Sequence, residues 1–152
     1  MPDRRHFLMT IAAVLLAPTT AFAKTINRFS QGKEQLAIKG FDTTAYVKSG
    51  MPLNGTDAAI VEWKGAKWRF VSAEEAASFR ANPLAYAPQF GGYCTRAMSL
   101  KKEVPADPKV WRLHNDMLYV FFAPRGSRFF DEMPEEMVSK AQSNWDSLSY
   151  SK

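Results

Sequence analysis

The chain has 152 residues, a length that fits one domain with a hydrophobic core. Apolar residues make up 46% of it and aromatic residues 13%, which excludes a wholly disordered chain. The formal net charge is +5, but the basic residues are scattered among acidic ones. That pattern is typical of a solvated surface and argues against nucleic-acid binding.

The first residues have the pattern of an export signal. A twin arginine at Arg4–Arg5 precedes an apolar run over 7–17, and Ala21–Phe22–Ala23 has the small-x-small form of a cleavage site. We predict a cleaved twin-arginine signal peptide over residues 1–23 and a periplasmic protein that is not integral to the membrane after cleavage. A retained anchor is the alternative, but the run is short and Pro18 follows it.

The mature chain is predicted to start with a flexible lead-in over residues 24–34, followed by one domain over 35–148. Gln35–Ile38 is predicted to be a short strand, and Asp42 is a candidate cap or turn residue. Two strand-like runs, Ala59–Trp63 and Lys67–Val71, predict an antiparallel hairpin around Lys64–Gly65–Ala66, and the second alternates large apolar and basic residues.

A helix is predicted after this hairpin. Ser72 stands three residues before Glu75, the spacing of a capping box, and Asn82–Pro83 ends the helix and allows one further turn. The chain's only cysteine, Cys94, then follows the glycine pair Gly91–Gly92. Residues 93–98 fit a strand or a helix; in a helix, Cys94 would share a face with the methionine four residues later.

A second hairpin and a final helix complete the predicted elements. Val110–Leu113 and Met117–Phe121 form the hairpin, with Asn115–Asp116 in its turn. The helix runs from about 132 to 145, with Asp131 as its cap and with an apolar stripe that packs on the sheet. The order of elements predicts an α+β fold, in which a small antiparallel sheet of two hairpins carries a short helix after the first hairpin and the C-terminal helix.

The residues over Trp63–Ala73, followed by Phe79–Tyr86, resemble the core signature of the YHS domain family. The stretches 37–46 and 86–94 are similar to the stand-alone, exported members of that family. The resemblance implies a small α+β fold and, for the modules attached to metal transporters, heavy-metal binding. Those modules use cysteines in two regions that here read Asp42–Thr43–Thr44–Ala45 and Val71–Ser72–Ala73, so only Cys94 matches a family functional candidate.

Cys94 leads the candidate metal ligands. A thiolate suits Cu(I) or Zn(II), and the Met98 thioether would favour Cu(I). His114 is the one imidazole of the predicted mature chain. We therefore predict an exported protein that handles a transition metal, copper or zinc, with Cys94 as the anchoring ligand and Met98 or His114 assisting. Core packing for Met98 and solvent exposure for His114 remain the alternatives.

Two further hypotheses come from other functional classes. In the first, Cys94 is a redox-active thiol that works with a periplasmic metal or redox partner protein or in a Cys94-linked dimer. In the second, the protein is an interaction or scaffold module in which Cys94 only packs. Phosphate loops, dinucleotide glycine patterns, paired-histidine zinc motifs and serine elbows are absent, and a Cys94–His114 dyad is the only catalytic pair that can be drawn. A non-enzymatic role is favoured.

Overall fold

The computed structural model describes residues 29–150. The predicted signal peptide over 1–23 and the first part of the predicted lead-in lie outside the described residues. Helices and small antiparallel sheets make up the fold, which confirms the predicted α+β class.

The segment before the first regular element is more closely packed than the lead-in prediction implies. Phe29 is buried against Trp63 and Trp68. The predicted strand at Gln35–Ile38 is wrong: two single 3₁₀ turns, Lys33–Gln35 and Ile38–Gly40, occupy this region. Several of its residues have positive φ angles, which are incompatible with an extended ladder.

A small two-stranded sheet and a helix follow. Strands β1 (Phe41–Asp42) and β2 (Leu53–Asn54) pair antiparallel on either side of helix α1 (Thr43–Ser49). Asp42 caps α1, as its sequence position predicted, because its carboxylate accepts hydrogen bonds from the Thr44 and Ala45 amides.

The first predicted hairpin is confirmed, with β3 at Thr56–Trp63 and β4 at Ala66–Phe70. Helices α2 (Ala73–Ala81) and α3 (Pro83–Tyr86) follow it. The Ser72 hydroxyl accepts from the Glu75 amide, as the capping-box spacing predicted. Phe79 of α2 stacks on Trp68 of β4, so this hairpin and α2 share one core cluster.

The second predicted hairpin is also confirmed, with β5 at Asp107–His114 and β6 at Met117–Phe121. Asn115 and Asp116 have φ angles of 49° and 59°, the left-handed values that a tight hairpin turn requires. The two hairpins form separate two-stranded sheets rather than one.

The C-terminal region holds two helices where one was predicted. Helix α5 (Pro124–Glu132) precedes α6 (Pro134–Tyr150), and Met133 lies between them with non-helical backbone angles of φ −144° and ψ 64°. The prediction that Asp131 caps the last helix is wrong, because Asp131 lies inside α5. The buried side chains of α6, Met137 and Ala141, join a cluster with α5, β6 and the short helix after Cys94.

In the part of the chain that the structure describes, none of the helices has the length and apolar character needed to cross a membrane.

Candidate functional site

A left-handed turn leads the chain into Cys94. Phe90, Gly91 and Gly92 have consecutive positive φ angles of 51°, 62° and 76°. Glycine adopts this conformation without a steric penalty, which is the local reason for the glycine pair. The Cys94 amide then donates to the Val104 carbonyl at 2.8 Å, which fixes the backbone at the thiol.

Within the stretch 93–98, residues 95–98 form a helix rather than a strand. Helix α4 covers Thr95–Met98, and Cys94 is its N-cap. The Cys94 Sγ accepts a hydrogen bond from the Ala97 amide at 3.4 Å, the role that a serine or threonine oxygen more often takes. The residue is only 4% exposed. The thiol therefore has a structural partner already.

Met98 is completely buried in the same apolar cluster as Cys94, together with Tyr119, Phe121 and Phe130. Its backbone carbonyl accepts from the Asn144 Nδ2 at 3.0 Å, a bond that ties α6 to the end of α4. Its amide donates to the Cys94 carbonyl at 2.9 Å. The two sulfur residues are thus one helical turn apart, as predicted for a helix.

His114 lies at the end of β5 with other partners. Its Nε2 is 2.7 Å from the Glu135 Oε1, and its ring packs edge-on against Phe130 with 5.6 Å between ring centroids. These contacts tie the second hairpin to α5 and α6. These contacts explain the position of the His114 ring without a metal ion.

The donor groups of residues 29–150 do not compose a closed metal site. No group of three or more His, Cys, Asp and Glu side chains within that range could hold an ion. The carboxylate of Asp42 is fully buried and accepts hydrogen bonds from backbone amides and from the Thr44 hydroxyl. The proposed copper or zinc site on Cys94, Met98 and His114 stays a prediction.

An apolar groove of about 390 Å³ lies over Cys94. Three parts of the chain build it: α4, the loop that follows α4, and the start of α5 with the residues just before it. The side chains that line it are Cys94, Arg96, Ala97, Leu100, Lys102, Val104, Phe122, Ala123, Arg125 and Phe129, with Gly126. Its volume lies within the usual range for a small-molecule site.

The charges at this groove have one sign. Its lining includes Arg96, Lys102 and Arg125 and no acidic side chain. The guanidinium carbons of Arg96 and Arg125 lie 5.1 and 5.5 Å from the centroid of the Phe129 ring. Cation–π contacts of this kind hold both guanidinium groups near the apolar wall.

Gly126 permits the close approach of α4 and α5 that forms the groove. A Cβ atom at this position would lie 3.3 Å from the Arg96 Cβ and 3.5 Å from the Phe121 ring. A larger side chain would therefore push the two helices apart.

Sequence reasoning identified Cys94 but missed the groove. Half of its other lining residues belong to α5 or to the stretch before it, where no helix was predicted. Pro124 was the available signal, since proline is favoured at the first position of a helix.

No protein-family model, curated protein or solved structure matches this chain. The resemblance to the YHS family rests on the motifs quoted above.

Proposed function

We propose that this protein is a non-enzymatic binding protein for a small amphiphilic anion, which it holds in the groove over Cys94. The observation that carries the proposal is the composition of the groove: a mostly apolar wall with three basic side chains and no acidic one. An apolar pocket with a few convergent polar groups is the usual form of a ligand site.

The chemistry of the ligand follows from this lining. A carboxylate or similar head group would pair with Arg125, Arg96 or Lys102, since guanidinium groups bind carboxylates through paired hydrogen bonds. A hydrocarbon chain would lie along Leu100, Val104 and Phe129, where each buried methylene contributes about 0.8 kcal/mol. Cys94 closes the floor of the groove and caps α4.

The compartment and family remain part of the proposal. The twin arginine and the cleavage-site pattern support export to the periplasm, and the motifs around Trp63, Phe79 and Cys94 support a stand-alone YHS module.

Decanoate is a suitable probe, with binding measured by calorimetry or by displacement of an anionic fluorescent dye. We expect saturable one-to-one binding to the wild-type protein and weaker binding of decanol, which lacks the charge. Arg125→Gln should weaken decanoate binding at least about tenfold, because a hydrogen bond to a charged group contributes about 1.5–3 kcal/mol. Its effect on decanol should be small.

Arg128→Gln is the matched control, since Arg128 is exposed on the same helix and is not part of the groove lining. Its decanoate affinity should stay within about twofold of the wild type, because a charge outside the groove is screened by salt. Ala97→Phe should fill the groove and abolish binding of both ligands. Equal decanoate affinities for Arg125→Gln, Arg128→Gln and the wild type would refute the proposed site.

A further inference from the structure

Two large apolar side chains project at the mouth of the groove. Leu100 is 53% exposed and Phe122 is 63% exposed, and each also contributes to the groove lining. Leu100 lies in the turn after α4, and Phe122 lies between β6 and α5. Large exposed apolar groups beside a binding site are typical of a surface that contacts a partner or a membrane.

Basic side chains surround these two residues. Lys101 and Lys102 follow Leu100, and Arg125 lies in the first turn of α5, three residues after Phe122. All three basic side chains are exposed. Glu103 is the acidic neighbour in this segment, and it does not line the groove. The face therefore combines exposed apolar tips with a local excess of positive charge.

We propose that this face, which comprises Leu100, Lys101, Lys102, Phe122 and Arg125, docks the protein on an anionic lipid bilayer. The inference rests on the proposed function, since the bilayer would be the source of the amphiphilic anion that enters the groove. Phe122 and Leu100 insert among the acyl chains near the head groups, while the lysines and Arg125 lie at the lipid phosphates.

A bilayer can bind the apolar and the basic side chains of this face at the same time. Anionic head groups attract each nearby lysine or arginine, and apolar side chains gain free energy by leaving water for the acyl region. Leu100 and Phe122 also line the groove, so a lipid chain that leaves the bilayer would meet apolar surface along its path. A folded protein partner would need an acidic surface with matching apolar pockets, which the bilayer does not require.

Vesicle co-sedimentation tests the proposal. The purified protein, with the same N-terminus in every variant, is mixed with vesicles of phosphatidylglycerol and phosphatidylethanolamine or with pure phosphatidylcholine. We expect binding to the anionic vesicles that weakens as salt rises from about 0.1 to 0.5 M. Phe122→Ser should lower the partition coefficient at least tenfold, and Lys102→Gln about fivefold.

Leu84→Ser is the matched control. Leu84 is 71% exposed but lies on α3, outside this face, so its loss should change the partition coefficient by less than twofold. Equal binding of the wild type, Phe122→Ser and Lys102→Gln would overturn the docking surface, as would capture by an acidic protein without vesicle binding. Retained decanoate binding without vesicle binding would overturn this inference alone, whereas loss of both would overturn the proposed function as well.

Discussion

The surroundings of Cys94 give its sulfur and its backbone structural partners. Its sulfur accepts from the Ala97 amide, its own amide donates to the Val104 carbonyl, and its exposed fraction is 4%. A thiol held in this way packs as a small apolar group and caps a helix. The proposed function therefore adopts the sequence-based hypothesis in which Cys94 only packs.

Substitution of Cys94 separates this role from metal binding. We expect Cys94→Ala to lower the free energy of unfolding by about 1–2 kcal/mol, because both the cap and the packing of the sulfur are lost. Cys94→Ser should cost less, since its hydroxyl can still accept from the Ala97 amide. Chemical denaturation measures both values.

Copper(I) and zinc(II) titrations of the same variants test the alternative hypothesis, in which Cys94 is a metal ligand. If Cys94 is structural, the wild type and Cys94→Ser should take up equal amounts of metal. Stoichiometric uptake by the wild type that disappears in Cys94→Ser would instead establish the predicted metal site.

At the scale of elements, an ion pair joins the second hairpin to α5. Arg112 of β5 binds both carboxylate oxygens of Asp131, with two nitrogen–oxygen distances of 2.7 Å. The hydrogen bond from Arg112 lowers the pKa of Asp131 below its ordinary value. The paired carboxylate therefore stabilises the fold above the ordinary carboxyl pKa, and this contribution is lost as the pH falls through the lowered one.

The acid side of the stability profile tests this pair. Because the Asp131 side chain is 47% exposed, solvent screening limits the effect to less than about 1 kcal/mol. Asp131→Asn should unfold more easily than the wild type at pH 6, and the difference should shrink as the pH falls below about 4. Thermal denaturation at several pH values measures it.

Glu132→Gln is the control for this prediction, as an exposed acid on the same helix. If it reproduces the pH profile of Asp131→Asn, the effect comes from net charge and not from the ion pair.

At the scale of the whole molecule, Asp42 connects parts of the chain that no sheet joins. One carboxylate oxygen accepts from the Thr44 amide at 2.8 Å, and the other accepts from the Val71 amide at 2.9 Å. Tyr46 of α1 reaches further, since its hydroxyl donates to the Pro108 carbonyl at 2.8 Å. These bonds hold α1, the end of β4 and the start of β5 together.

Removal of the Asp42 carboxylate should weaken the whole fold. We expect Asp42→Ala to lower the free energy of unfolding by about 2–4 kcal/mol, since a helix cap is lost and buried donors are left unpaired. Asp42→Asn should cost less because one oxygen remains an acceptor. A single cooperative transition in equilibrium denaturation is expected for both variants, and a loss below 1 kcal/mol for Asp42→Ala would contradict this role.

The sequence by itself determined the local elements. Both hairpins, the Ser72 and Asp42 caps, and the left-handed turn at Asn115–Asp116 depend on residues close together in the chain, so their side-chain patterns are readable without a fold. The wrong predictions also concern local elements. Gln35–Ile38 does not have the strand conformation that was predicted. Helix α5 was not predicted, because it has no long apolar stripe beyond Phe129 and Phe130.

Only the tertiary structure decided the site. The burial of Cys94 and the groove depend on contacts between α4 and α5, which are separated in the chain by the whole second hairpin. The pairing of His114 with Glu135 likewise joins β5 to α6. Gly126 illustrates the reason, because its lack of a side chain matters only once Arg96 lies against it. Contacts of this kind arise from packing between distant segments, and the spacing of residues in the sequence does not predict them.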